Sequence, residues 1–300
     1  MLITSIKNND ITNVRKLIEK GADINIQNES GDTALTNAVI KENFEICKLL
    51  IEKGADINIK NESGETALIN AVKKENFEIC KLLIEKGADI NIKNNFGITP
   101  LMYTIGINNY EICKLLIEKG ADINIKDESG DTALTNAVIK ENFEICKLLI
   151  EKGADINIQD DIGDTALITA IKKVNFEICK LLIEKGADLN IRNGTGDTAL
   201  ITAIRKRNFE ICKLLIEKGA DINIQDDIGY TALITAIKKG NFEICKLLIE
   251  NGADLDLINK EGRTVYYYDK EGIINRYFKK KLQLFFIMMI LMKIKILHMM

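Results

Sequence analysis

The 300-residue chain has one histidine, His298, close to its end. Without a second histidine, no His-based metal site can be assembled, and no Ser/His/Asp or Cys/His nucleophilic set is expected. Proline also occurs once, and tryptophan is absent. Neither sign of charge dominates, since 41 Lys and Arg face 44 Asp and Glu for a formal net charge of −3. That balance argues against a nucleic-acid binder working through a broad basic field. No Gly-rich loop follows a strand pattern, so a nucleotide phosphate has no cradle. The first residues mix Ile and Leu with Lys7, Asn8, Asn9 and Asp10 and hold neither an apolar core nor a small-residue cleavage site. An intracellular, cytoplasmic location is therefore expected, and seven cysteines, an odd number, suit a reducing compartment. In that setting the sequon-like triplets at Asn28, Asn61 and Asn193 read as chance matches in a chain with 29 Asn.

What is present is periodic. Gly-Ala-Asp begins at Gly21, Gly54, Gly87, Gly120, Gly153, Gly186, Gly219 and Gly252, always 33 residues apart. The cysteines keep the same interval at Cys47, Cys80, Cys113, Cys146, Cys179, Cys212 and Cys245. Seven full repeats fill 28–258 without an insertion. A partial repeat at 1–27 precedes them and a divergent one at 259–281 follows, both read as caps. Length alone suggests about two domains, but no Pro-, Gly- or Ser-rich linker interrupts the series, which reads as one quasi-linear array.

One repeat explains the rest. Thr33 is placed to cap a short helix carrying Leu35, Ala38 and Val39 on one side. Asn43 marks a turn, and a second helix over 44–53 carries apolar Phe44, Ile46, Cys47, Leu49, Leu50 and Ile51 beside the stripe Glu45, Lys48, Glu52, whose charges can pair along it. A helix so apolar must be covered by neighbouring repeats on both flanks. Gly54 supplies a positive-φ stop. Ile57-Asn58-Ile59 alternates as a short strand does, and Asn61-Glu62-Ser63-Gly64 forms a tight tip.

At these residues the chain resembles the ankyrin-repeat family. The family's opening, an Asx, then Gly-x-Thr-Pro-Leu, is closest at Asn94-Asn95-Phe96-Gly97-Ile98-Thr99-Pro100-Leu101, and a Leu-Leu helix closes each repeat on Gly-Ala-Asp. The resemblance implies an all-α ankyrin-repeat solenoid of 33-residue helix-turn-helix repeats joined by β-hairpin-like loops. Two departures stand out. The family's His after Pro-Leu is replaced by Thr36, Ile69, Met102, Thr135, Ile168, Ile201 and Ile234. Its Gly between the helices survives only at Gly240, with Glu42, Glu75, Asn108, Glu141, Val174 and Arg207 elsewhere. If positive φ is still required there, those residues are strained.

No catalytic, cofactor or metal residues are assigned. One Cys per repeat, on helices stacked ~8–10 Å apart, suits a small buried hydrophobe better than a metal ladder or disulfides. Acidic groups such as Glu62 with Glu65, and Asp160, Asp161 and Asp164, are expected on exposed tips as solvated turn formers. A row of bases ends the first helices: Lys41, Lys73, Lys140, Lys172, Arg205 and Lys238 among them. The resemblance puts tips and bases on one concave side, so a charged groove for a protein partner is implied. The function expected is that of a non-enzymatic protein–protein interaction scaffold, with no nucleic-acid or small-molecule ligand. A membrane-attached adaptor and a substrate-recruiting subunit are the alternatives.

The third full repeat is the favoured contact. Its tip offers Phe96 and Ile98 where six other repeats carry an acid, and Tyr103 and Ile107 lie nearby. Ile162, Ile228 and Tyr230 extend a weaker apolar strip. The tail, 282–300, is apolar and Met-rich, but its uncharged stretch Leu282–Met292 falls short of the ~20 residues of a spanning helix. It is read as a cap or a segment without a role in preference to an interfacial anchor aided by Lys279, Lys280 and Lys281.

Overall fold

A computed structural model of the chain describes residues 1–281. The tail at 282–300, for which cap and anchor were weighed, lies outside the described residues. Two compact units are formed, Met1–Asp161 and a second from Ile162 onward.

The first unit contains five helix pairs: α1 (Leu2–Lys7) with α2 (Ile11–Glu19), α3 (Ala34–Ile40) with α4 (Phe44–Glu52), α5 (Ala67–Lys73) with α6 (Phe77–Glu85), α7 (Pro100–Gly106) with α8 (Tyr110–Glu118), and α9 (Ala133–Ile139) with α10 (Phe143–Glu151). The second contains α11 (Ala166–Lys172) with α12 (Phe176–Glu184), α13 (Ala199–Arg205) with α14 (Phe209–Glu217), and α15 (Ala232–Lys238) with α16 (Phe242–Glu250). It ends with α17 (Val265–Tyr268) and a helix running from 273 to the last described residue. Within each unit, first helices stack on first helices and second on second, as in α3 on α5 and α4 on α6.

Local chemistry sets these limits. Thr33 accepts the N–H of Thr36 and starts α3, and Thr66, Thr99, Thr132, Thr165, Thr198 and Thr231 start the later first helices in the same way. Asn43 is more than a turn residue: its side chain accepts the N–H of Ile46 and caps α4. The first helix is buried on nearly every side, with Ala34, Leu35, Thr36, Asn37, Ala38 and Val39 all covered. The second buries Ile46, Cys47, Leu49 and Leu50 and leaves the stripe Glu45, Lys48, Glu52 in water. The expected pairing along that stripe is nearly absent. Among the described residues only Lys213 and Glu217 come within range, at 3.9 Å, because exposed flexible charges gain little by meeting in water.

The expected strand at Ile57-Asn58-Ile59 does not form. Among the described residues, pairing is limited to isolated bridges such as Gln27 with Thr33. The backbone N–H groups are taken instead by a side-chain ladder. Asn25 accepts the N–H of Asp56, Asp56 that of Asn58, Asn58 that of Asp89, and Asp89 that of Asn91, each at 2.8–2.9 Å. Asx turns thus satisfy donors that a strand would have given to a neighbour.

At the tips the chain does turn as a hairpin does, with Asn61 N–H bonded to Glu65 O at 2.9 Å. Asn28, Asn61 and Asn193 hold these turns, each side chain accepting two backbone N–H groups. The tip glycine is fixed by its neighbour: at Gly97, φ is +73° and an added Cβ would lie 2.8 Å from Glu128 N. Between the helices, Glu42, Glu75, Asn108, Glu141, Val174 and Arg207 all take φ of 55–61°, so the left-handed requirement persists without glycine. The neighbour uses some of these side chains. Asn109 donates to Glu75 Oε2 at 3.0 Å, and Asn142 to Asn108 Oδ1.

Candidate protein-interaction surface

Successive tips within a unit are joined by backbone hydrogen bonds. Glu62 N–H reaches Ser30 O, Asn95 N–H reaches Ser63 O, and Glu128 N–H reaches Phe96 O, at 3.1–3.3 Å. In the second unit Asp227 N–H reaches Thr195 O and Lys260 N–H reaches Ile228 O, both at 3.3 Å. The residue whose carbonyl serves this ladder points its side chain outward. Phe96 is 63% exposed, Ile162 64% and Ile228 52%.

The acidic residue two positions later behaves differently from expectation. Glu65, Asp164 and Asp197 are buried, not solvated. Each meets the base eight residues on, across the cap of the first helix: Lys73 with Glu65, Lys172 with Asp164, and Arg205 Nε with Asp197 at 2.8 Å. Arg205 also reaches the buried Asp226 at 2.9 Å. The acidic tips and basic helix ends read as two separate charged rows are therefore joined at these repeats, because a carboxylate turned inward needs a cation. Burial raises the Asp197 pKa above the usual carboxylate value, Arg205 opposing it. The Lys73 pKa is also raised: burial disfavours its charge, but the Glu65 carboxylate outweighs that cost.

The third repeat has lost both members of the pair. Ile98 stands at the acidic position and Gly106 at the basic one, where an added Cβ would find nothing within 4 Å. Ile98, Tyr103 and Ile107 are half-buried, and Met102, filling the family's His position, is buried. Tyr103 is fixed by its neighbours. Its hydroxyl donates to Glu65 Oε1 at 2.9 Å and accepts from Asn94 at 3.0 Å, and Lys73 Nζ lies 4.9 Å from the ring centroid. Burial and the Glu65 charge raise the phenol's pKa.

The seven residues singled out from the sequence fall in both units. Phe96, Ile98, Tyr103 and Ile107 share the third repeat in the first. Ile162, Ile228 and Tyr230 belong to the second, where Ile228 and Tyr230 share one tip. Tyr230 occupies the acidic position and repeats the clamp without an acid. Lys238 Nζ donates to its hydroxyl at 2.8 Å and sits 4.1 Å from its ring centroid, lowering the phenol's pKa. The sequence reading missed Tyr266 and Tyr267, 52% and 54% exposed, and Tyr268, whose ring packs edge-on against Tyr230 at 5.5 Å. Their run of three tyrosines was the available signal. The cysteines are all free and buried, as their register implies, and burial pushes the thiols up to about 12, or about 11 at Cys113.

Family models described as ankyrin repeats match residues 2–94, 87–160 and 157–226, and a further one matches 215–268. The chain belongs to the ankyrin-repeat family. No curated protein matches it. Ankyrin repeats serve generally as protein–protein interaction modules, and the family is typically non-enzymatic. Among the described residues, no helix is long and apolar enough to cross a membrane. In this ankyrin-repeat chain the tip ladder and the clamps hold the surface residues on a bonded frame, so a partner would meet groups whose positions are already set.

Proposed function

We propose that this ankyrin-repeat protein is a non-enzymatic, intracellular scaffold that binds a protein partner on the face formed by its fingertips and first helices. The third repeat supplies the principal anchor, with Phe96 and Ile98 at its centre and Tyr103 and Ile107 beside them. One observation carries this reading. Phe96 is a 63% exposed aromatic on a bonded tip, in the repeat where the acid–base clamp has been replaced by Ile98 and Gly106. Aromatic groups on a fixed frame with a charged rim are the usual centres of binding energy. Ile162, Ile228 and Tyr230 form a lesser contact in the second unit.

The segments 1–27 and 259–281 close the two ends in this reading. Leu2, Ile6 and Val14 are buried at the first, and α1 packs on α3. At the second, Ile273, Ile274 and Tyr277 are buried while Asn275, Arg276, Lys279 and Lys280 face water, the polar outer side that a terminal repeat requires.

Affinity capture with mass spectrometry, comparing the natural chain with Phe96→Asp/Ile98→Asp, tests the anchor. The double variant is expected to lose the captured partner while melting within about 3 °C of the parent. Capture that survives in the folded variant places the anchor elsewhere.

A further inference from the structure

The near-neutral total conceals two units of opposite sign. Residues 1–161 hold 19 Lys and Arg against 27 Asp and Glu, a net charge of −8, whereas 162–300 hold 22 against 17, a net charge of +5. The Phe96 patch lies on the acidic unit.

Its immediate rim is acidic too. The tip ladder places Glu62 on one side of Asn95 and Phe96 and Glu128 on the other: Asn95 Nδ2 bonds Glu62 O at 2.8 Å, and Glu128 N–H bonds Phe96 O at 3.3 Å. Both carboxylates are exposed, and neither takes part in any of the ion pairs among the described residues. Two of the nearby bases are already engaged. Lys73 is held by Glu65 and the Tyr103 ring, and Lys93 Nζ is bonded to Lys126 O at 2.8 Å. With Gly106 in place of a base, the third repeat supplies no helix-end cation; the fourth supplies Lys140, which lines one cavity with Gly106 alongside Glu141 and Glu144.

We infer that this patch receives a cationic extended segment, an apolar side chain seated beside Phe96 and over Gly106 with a Lys or Arg on each side. The inference rests on the reading of the patch as a partner-binding anchor and adds the chemistry of what it binds. Stacked repeats lie ~10 Å apart, and an extended chain advances ~3.3 Å per residue. The flanking bases therefore fall about three residues before and after the apolar one. The opposite charge of the second unit repels the same segment and directs it to the first.

The test uses the full chain and a fluorescently labelled peptide, Arg-Gly-Ser-Leu-Ser-Gly-Arg, with Glu-for-Arg and Ala-for-Leu versions, followed by anisotropy at low and moderate salt. The parent peptide is expected to bind roughly tenfold more tightly than the Glu version, the contrast shrinking with salt. Glu62→Lys/Glu128→Lys is expected to reverse the preference, and Phe96→Asp/Ile98→Asp to weaken the parent peptide. Equal binding of Arg and Glu peptides overturns the cationic assignment, and equal binding of Leu and Ala peptides overturns the seated anchor. Loss of partner capture on Phe96→Asp/Ile98→Asp, with no effect of Glu62→Lys/Glu128→Lys, leaves the anchor standing and sinks this inference alone. Sedimentation showing salt-sensitive oligomers dispersed by Glu62→Lys/Glu128→Lys makes a second copy the occupant and also overturns it.

Discussion

The hydroxyl of Tyr103 donates to Glu65 Oε1 across 2.9 Å, tying the first helix of the third repeat to the loop of the second. The Tyr103 hydroxyl oxygen in turn accepts from Asn94 Nδ2 at 3.0 Å. Tyr103→Phe leaves Glu65 with Lys73 but removes the acceptor from Asn94. The expected cost is about 1 kcal/mol, read as a melting shift of about 2 °C. The phenol pKa is raised in the folded chain by burial and Glu65. A raised folded value means that the folded state holds its proton more tightly, so stability present below the ordinary tyrosine value is lost as pH rises through it. Above about pH 10 the natural chain should lose stability more steeply than Tyr103→Phe. Equal slopes would show that the hydroxyl sits in water.

The repeat length, the helix pairs, the cap at Thr33 and the turn at Asn43 were legible because each depends on neighbours in sequence. The side-chain partners were not. Ile57-Asn58-Ile59 has the alternation of a strand, yet Asn25 and Asp56, 31 residues apart, divert its donors. Glu65 beside a tip glycine looks like a solvated turn former until Lys73 is set against it. The sequence does hold a trace of that pair: acid and base occur together at 65 and 73, 164 and 172, and 197 and 205, and both are missing at 98 and 106. Reading spacing within one helix at a time hides a contact that crosses a helix cap. At the candidate surface, the exposure of Phe96 followed from comparing repeats, whereas the fixing of Tyr103 depended on the second repeat.

Val174 sits at φ +61° and is 50% exposed. A β-branched residue there crowds its own backbone, and the exposed side chain returns little packing energy. Val174→Gly removes that crowding, against the greater freedom that glycine gives the unfolded chain. A net gain of about 0.5–1 kcal/mol in urea unfolding is expected. The reverse change at the same position in the last full repeat, Gly240→Val, should cost a similar amount. Loss of stability in Val174→Gly would mean that the left-handed site carries no strain.

The seven thiols are buried, and burial holds most of them near pKa 12. Little thiolate exists at neutral pH, and a reagent needs a local opening to reach it. A disulfide reagent should therefore label none of the seven quickly in the native chain and all of them in denaturant. Labelling should accelerate in proportion to added denaturant below the unfolding midpoint. Fast native labelling of several cysteines would overturn the helix register.

Arg205 is shared by two buried carboxylates, Asp197 through Nε at 2.8 Å and Asp226 through Nη2 at 2.9 Å. Even with Arg205 present, burial raises the Asp197 pKa above its ordinary value. Removing the guanidinium in Arg205→Met keeps much of the aliphatic packing but leaves both carboxylates buried without it. With Arg205 40% exposed on its side-chain surface, water relieves part of the penalty, and a loss of about 2 kcal/mol at neutral pH is expected. The sign of the pH dependence follows from the direction of the shift. Carboxylates whose folded pKa lies above the unfolded value bind more protons when folded, so stability rises as pH falls toward the unfolded value. Arg205→Met should therefore recover part of its deficit as pH falls from neutral toward the ordinary carboxylate value. Urea unfolding of both proteins across that range measures it. A deficit that stays constant or widens on acidification would mean that Asp197 and Asp226 are solvated once Arg205 is gone.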